Sequence, residues 1–255
     1  FIGGFVPSLV FGVAVGNLFL GVPFRLDETM RASYDGNFFG LLTPFALLTG
    51  LLSLSMLVTQ GATIIAARTE GQIAQRARTY GRGAAAATLA LFLIGGVVTL
   101  FLLNGFRVPS VQDAFGPSNP LNKTVELAPG AWRDNYAHMP WMIVAPTLAT
   151  IGSVIAYLAL ELRARVLGLL GSSLAIFGII ATAGLSLFPF LMPSSVMPNA
   201  SFTVWDASSS QLTLFIMLCA TVVFLPLILA YTSWVFWVMR GPVTPASLTR
   251  NPNAY

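Results

Sequence analysis

The sequence predicts an all-α protein, a polytopic transmembrane helix bundle of six spans, and three observations carry that prediction. Of its 255 residues, 56% are hydrophobic and only 9% are charged, against about 25% charged in an ordinary soluble domain. The mean hydropathy is +0.79. Stretches near 1–20, 38–67, 83–103, 139–160, 166–190 and 211–239 are each apolar over the roughly 20 residues that cross about 30 Å of hydrocarbon. None of them carries Asp, Glu, Lys or Arg in its central part, as the cost of burying charge in a bilayer demands. Residues 1–255 therefore read as a single integral-membrane domain with no proton relay within its spans.

The first span holds Gly12 and Gly16, a Gly-x-x-x-Gly spacing that puts two small residues on one helix face and lets another backbone approach. Ala46, Gly50 and Ser53 give the second span a similar face. Packing within the subunit and packing onto a partner both fit these faces. Between the second and third spans the connection 68–82 carries Arg68, Arg76, Arg78 and Arg82. The stretch from Asn104 to Ala137 contains Pro109, Pro117, Pro120 and Pro129 and reads as an irregular excursion. Pro44, Pro146, Pro189 and Pro226 lie within or near span ends, where each removes a backbone donor and can kink the helix.

The last span is preceded by Trp205-Asp-Ala-Ser-Ser-Ser-Gln211. Ser208 and Gln211 have the spacing of a capping box, and Asp206 adds negative charge near the positive end of the helix dipole. Trp205, Asp206, Ser208 and Gln211 are accordingly expected to act as a structural cap or a partner contact. Trp132, Trp141, Trp205, Trp234 and Trp237 stand near span ends, as interfacial aromatic anchors do. Asn122-Lys-Thr124 and Asn199-Ala-Ser201 match the glycosylation triplet, a frequent chance pattern to which no function is assigned.

Charge sets the orientation, because Lys and Arg accumulate in cytoplasmic loops. Arg68, Arg76, Arg78, Arg82, Arg163, Arg165, Arg240 and Arg250 fall on one side, which predicts that side, and the C-terminus, to be cytoplasmic. Opposite, Asp27, Glu28, Asp35, Asp113, Glu126, Asp134 and Asp206 outnumber Arg25, Arg31, Arg107, Lys123 and Arg133. The net charge of +4 and pI near 9.6 then reflect loop asymmetry rather than nucleic-acid binding. With Cys219 the only cysteine and His138 the only histidine, this chain by itself offers no disulfide and no Cys/His metal site. His138 stands at the aqueous edge of the fourth span, where solvation is favoured over haem ligation. No catalytic residue is singled out. An independent secondary transporter is the alternative reading, disfavoured because such proteins line broken helices with polar or ionisable groups.

The residues themselves point to a family. Gly12-Val-Ala-Val-Gly-Asn17 with Gly21-Val-Pro-Phe24, Gly36-Asn-Phe-Phe39, Leu42-Thr-Pro-Phe45 and Thr59-Gln-Gly-Ala-Thr63 resembles subunit II of the cytochrome bd quinol oxidases. So, in order, do Ser118-Asn-Pro-Leu-Asn-Lys123, Gly130-Ala-Trp132, Phe188-Pro-Phe190, Met192-Pro-Ser-Ser195, Trp205-Asp-Ala-Ser-Ser-Ser-Gln-Leu-Thr-Leu214 and Tyr231-Thr-Ser-Trp234. The resemblance covers nearly the whole chain. Family members carry a further stretch of about three spans ahead of the region matching Phe1, so the chain is expected to be the C-terminal two-thirds of a subunit with about nine. The acidic residues implicated in proton delivery in this family sit largely in that stretch and are not carried over.

The resemblance implies a terminal oxidase of the bacterial cytoplasmic membrane that oxidises ubiquinol or menaquinol and reduces dioxygen to water. It implies a partner, subunit I, holding haem b and haem d, with small accessory membrane subunits and lipid as further neighbours. Subunit II would be a scaffold, holding in some members a structural quinone, ubiquinone or menaquinone. Phe38, Phe39, Phe45 and Phe92 are candidates to line an apolar groove for such a quinone.

Overall fold

A computed structural model of the chain describes residues 2–109 and 119–238. Six helices in it are long and apolar enough to cross a membrane. They are α1 (Ile2–Leu20), α2 (Pro44–Arg68), α3 (Gly71–Val97), α5 (Val144–Glu161), α6 (Arg165–Leu187) and α7 (Gln211–Val238), with a short α4 (Asp134–His138) before α5. Phe1, Asp113, Ser118 and the polar tail 239–255, with Arg240 and Arg250, lie outside the described residues.

Two span boundaries differ from the sequence expectation. The second helix starts at Pro44 rather than 38, because Phe39–Leu41 forms a separate 3-10 turn and Thr43 caps the helix by accepting from the Ala46 amide at 3.1 Å. Pro44 at N1 is thus no kink, since its missing N–H would find no partner there anyway. The stretch 71–82 is helix rather than a loop: α3 begins at Gly71, whose φ of +66° makes the turn from α2 through Thr69 and Glu70. Gln72, Ala74, Gln75, Arg76 and Ala77 are good helix formers, so the helix runs on past the apolar stretch. At its far end α3 widens into a π turn, Val98–Leu102, with Leu103 N–H donating to Val98 O at 3.0 Å.

Helix pairs α1–α2, α2–α3, α2–α6, α3–α5 and α5–α6 carry the bundle. The small faces of α1 and α2 meet each other: a Cβ on Gly12 would stand 2.7 Å from Gly50 Cα, and one on Gly16 2.8 Å from Ala46 Cα. These faces pack within the subunit. Hydroxyls add interhelical bonds that the sequence did not single out. Thr88 of α3 donates to Ser55 of α2 at 3.0 Å, and Thr63 of α2 pairs with Ser172 of α6 at 2.9 Å. Such bonds hold membrane helices where lipid supplies no hydrophobic drive between them.

All three long connections gather at one end of the bundle as a cap. It comprises three antiparallel hairpins: β1 (Phe24–Leu26) with β2 (Ala32–Tyr34), β3 (Asn104–Arg107) with β4 (Glu126–Pro129), and β5 (Phe190–Met192) with β6 (Phe202–Thr203). Val22 bridges to Ser194, and Ser194 Oγ donates to Phe24 O at 2.6 Å, tying the first hairpin to the third. At the opposite end the connections are short, and the ion pairs Arg82–Glu161 and Arg165–Glu70 cross between them.

The first hairpin turns on Asp27. One carboxylate oxygen accepts from Thr29 N, Thr29 Oγ1 and Arg31 N at 2.7–2.8 Å. The Arg31 amide foremost, then the Thr29 hydroxyl, hold its pKa below the usual carboxylate value. A lowered folded pKa means that the stabilisation is complete above the unfolded value of about 4 and is lost as pH falls through the lowered one. Amide exchange at Thr29 and Arg31, corrected for its intrinsic pH dependence, should lose protection below about pH 4, and Asp27→Asn should remove that dependence.

Candidate functional site: a buried ion pair in the hairpin cap

The cap core is aromatic. Trp132, 1% exposed, lies among Phe19, Phe106 and Phe190, with ring centroids 5.5, 6.0 and 6.4 Å away. Trp132 is therefore no interfacial anchor: the left-handed Gly130 (φ +72°) and the 3-10 turn Ala131–Arg133 place its ring inside the cap. Trp141, Trp234 and Trp237 are exposed, as anchors are. Arg107 and Asp134 pair at 2.6 Å, joining the third strand to α4.

Beside this core, Lys123 and Asp206 form an ion pair at 2.5 Å, their side chains only 1% and 6% exposed. The Lys123 ammonium also donates to Pro120 O at 2.6 Å. Asp206 accepts from Thr203 N through one oxygen and from Thr203 Oγ1 through the other, both at 2.8 Å. Each charge is thus both paired and hydrogen-bonded, the condition under which burial of ions is tolerated. The pair fastens the segment just before β4 to the loop that leads into α7. Val125 N donating to Asn199 Oδ1 at 2.8 Å makes a second tie between the same segments. Lys123 and Asn199 both sit in the triplets to which the sequence assigned no function. A lysine in an otherwise polar loop carries no local mark of burial; its partner is 83 residues away.

The cap reading of the 205–211 segment needs correction. Asp206 is drawn into the ion pair rather than set at the start of α7, and Ala207 N closes a turn onto Thr203 O at 3.0 Å. That turn occupies 203–207, so the chain enters the helix only after Ser210, whose carbonyl accepts from Leu214 N at 3.0 Å. Ser210 Oγ faces the Thr213 amide at 3.4 Å and its hydroxyl at 3.0 Å. Ser208 is exposed and Gln211 is simply the first residue of α7. Trp205 packs edge-on to Phe188 at 5.8 Å.

The four phenylalanines proposed for a quinone groove lie in three places. Phe38 and Phe39 are exposed beside the 3-10 turn, Phe45 is buried against Phe19, and Phe92 packs with Leu52 and Ile179. They do not form one groove, because periodicity reports a residue's face and not which faces converge. Gln60 Oε1 and Trp132 Nε1 are buried without a partner among the described residues, but the indole is closed in by rings rather than facing a cleft. His138 is exposed and its Nδ1 bonds to Asp134 O at 2.8 Å within α4. These residues fit neither a quinone nor a haem iron.

The geometry is a six-helix bundle under a hairpin cap that a buried ion pair fastens. Residues 1–239 match the family model for "Cytochrome bd terminal oxidase subunit II". The chain belongs to that family. It is 45% identical over 254 residues, its whole length, to cytochrome bd-I ubiquinol oxidase subunit 2 of Escherichia coli K12, and spans 67% of that protein. Over the same span it is 42% identical to a probable cytochrome oxidase subunit 2 of Haemophilus influenzae, again 67% of the relative's length. Among solved structures it resembles the bd oxidase of Geobacillus thermodenitrificans, with a TM-score of 0.59 and 15% identity over 93% of this chain and 62% of that one. This last likeness bears on the fold. As a member of the family with six membrane-length helices, this bd oxidase subunit II is a multi-pass bacterial membrane protein.

Proposed function

We propose that this chain works as the non-haem subunit of a bd-type terminal oxidase, in which quinol oxidation is coupled to reduction of dioxygen to water. The observation that carries the reading is the 45% identity to a ubiquinol oxidase subunit along the entire chain. Its role is that of a scaffold for a haem-bearing subunit I, which would hold haem b and haem d and oxidise ubiquinol or menaquinol. The placement of His138 and of the four phenylalanines favours this division, since none of them is set to hold a haem or a quinone. All of α7, with no buried residue, and the exposed edge Ser208–Gln211 that leads into it, are offered to neighbouring chains. The basic end of the bundle, with Arg68, Arg76, Arg78, Arg82, Arg163 and Arg165 against Glu70 and Glu161, supports a cytoplasmic side there and with it the reading of a cytoplasmic C-terminus.

The test is purification of the full-length subunit from membranes in mild detergent through a tag, followed by a reduced-minus-oxidised spectrum and identification of co-purifying chains. A haem d band that travels with a larger partner, and leaves the tagged chain when that partner is stripped away, is the expected result. A haem signal that stays with the tagged chain alone would overturn the assignment of haem to subunit I.

A further inference from the structure

At the short-connection end, a cleft opens between α2, α3 and the α5–α6 turn. Arg78, Arg163 and Arg165 line it, over a floor that includes Thr63, Ala66 and Leu160. Thr63 and Ala66 are buried, so the floor belongs to the bundle interior while the rim is cationic. Among the described residues neither Arg78 nor Arg163 has a carboxylate within ion-pair distance, and Arg165 has only Glu70, at 3.5 Å. The other carboxylate at this end, Glu161, does not relieve the excess, because it is taken by Arg82.

Arg163 occupies its place against a backbone preference. Its φ is +59°, a left-handed conformation that a non-glycine residue adopts at a cost and that helix ends usually give to glycine. The turn is closed regularly around it, with Leu162 N donating to Leu158 O at 2.8 Å and Ala164 N to Ala159 O at 2.9 Å. A guanidinium kept where glycine fits better is the kind of strain that marks a function. Further positive potential comes from α6, which starts at Arg165 with no side-chain cap at Ala164, leaving its first N–H groups pointed toward the same end.

We propose that this cleft binds the phosphate headgroup of an anionic membrane phospholipid, with Arg78 and Arg163 as its principal charged contacts. Arginine pairs with phosphate through parallel N–H bonds, and basic pockets between membrane helices at the bilayer edge are where anionic headgroups lodge. The site lies where the spans end, the level at which lipid headgroups stand. It goes beyond the oxidase reading and does not depend on it.

The experiment uses the complete detergent-purified complex, delipidated and then titrated with phosphatidylglycerol, with phosphatidylcholine or with inorganic phosphate. Bound lipid is read by native mass spectrometry and its effect by thermal shift. Phosphatidylglycerol should bind and raise the melting temperature while phosphatidylcholine does not. Arg78→Gln and Arg163→Gln should each weaken that binding about fivefold, the usual worth of one basic residue toward an anionic surface. Arg76→Gln, on the same helix but outside the cleft lining, should leave it unchanged.

Arg163→Gly is the decisive variant. Glycine suits a φ of +59°, so the lipid-free protein should melt no lower than wild type while its lipid response falls. Equal lipid binding by Arg163→Gly and wild type, or equal binding of the two lipids, would overturn the proposal. Protection by inorganic phosphate with none by phosphatidylglycerol would overturn the lipid as the source of the phosphate. A haem spectrum taken on the same preparations separates this outcome from any failure of the oxidase assignment.

Discussion

Replacing Lys123 by methionine should destabilise the hairpin cap by about 3–5 kcal/mol, the usual cost of stranding one member of a buried ion pair. The Asp206 carboxylate, 6% exposed on its side chain, would lose the Lys123 ammonium while still held by Thr203. Pro120 O would lose its donor as well. The double variant Lys123→Met/Asp206→Asn removes both charges and keeps an acceptor for Thr203, so it should lose less than Lys123→Met alone. Melting of the solubilised complex, followed by tryptophan fluorescence, measures this directly, because Trp132 and Trp205 lie in the same cap. If Lys123→Met melts with wild type, water reaches the carboxylate and the pair is not the lock described. Because the pair joins the segment before β4 to the loop entering α7, its loss should also raise amide exchange in 199–210 before the bundle helices respond.

Gly178→Ala should cost about 3 kcal/mol, at the upper end of what overpacking a closed interior produces. A Cβ at Gly178 would stand 2.7 Å from Ala149 Cα on α5, a backbone atom that no side-chain rotation can move aside. Gly152 and Gly171 make matching approaches from the two helices, to Ala175 and Ala156, so the α5–α6 pair touches backbone to backbone along its length. The helices would have to part, opening the contact that Leu52, Ala149 and Ile179 fill. Gly184→Ala is the same chemical change six residues along the same helix, where a Cβ meets nothing within 4 Å. It should be neutral or stabilising by up to about 1 kcal/mol through helix propensity. Opposite signs for these two substitutions, read as melting temperatures of the complex, establish that close approach and not glycine content holds the pair. Equal effects would refute it.

The spans were legible because they depend on a local quantity. About 20 consecutive apolar residues satisfy a bilayer whatever their neighbours, and all six stretches became helices. The alternation of long and short connections was legible for the same reason, since it follows from counting spans. The α2–α3 turn was misplaced because Arg76, Arg78 and Arg82 look like a loop on a hydropathy scale, although their helix propensity is good. The first small-residue stripe was visible at Gly12 and Gly16, but the sequence left its partner open, and only packing matched it to Ala46 and Gly50.

By itself the sequence determined the class of protein, its six spans, their alternation and the family to which the chain belongs, all properties carried by runs of neighbouring residues. The tertiary structure alone decided that Lys123 meets Asp206, that Trp132 is core rather than anchor, that Ser210 and not Ser208 caps α7, and that Arg78, Arg163 and Arg165 share one cleft. Each of these joins residues from different connections or fixes which of several equivalent side chains is used. Periodicity and hydropathy describe the solvent that a segment prefers. Contacts between segments are chosen by the close packing and paired polar groups of the whole bundle, which no single stretch of chain contains.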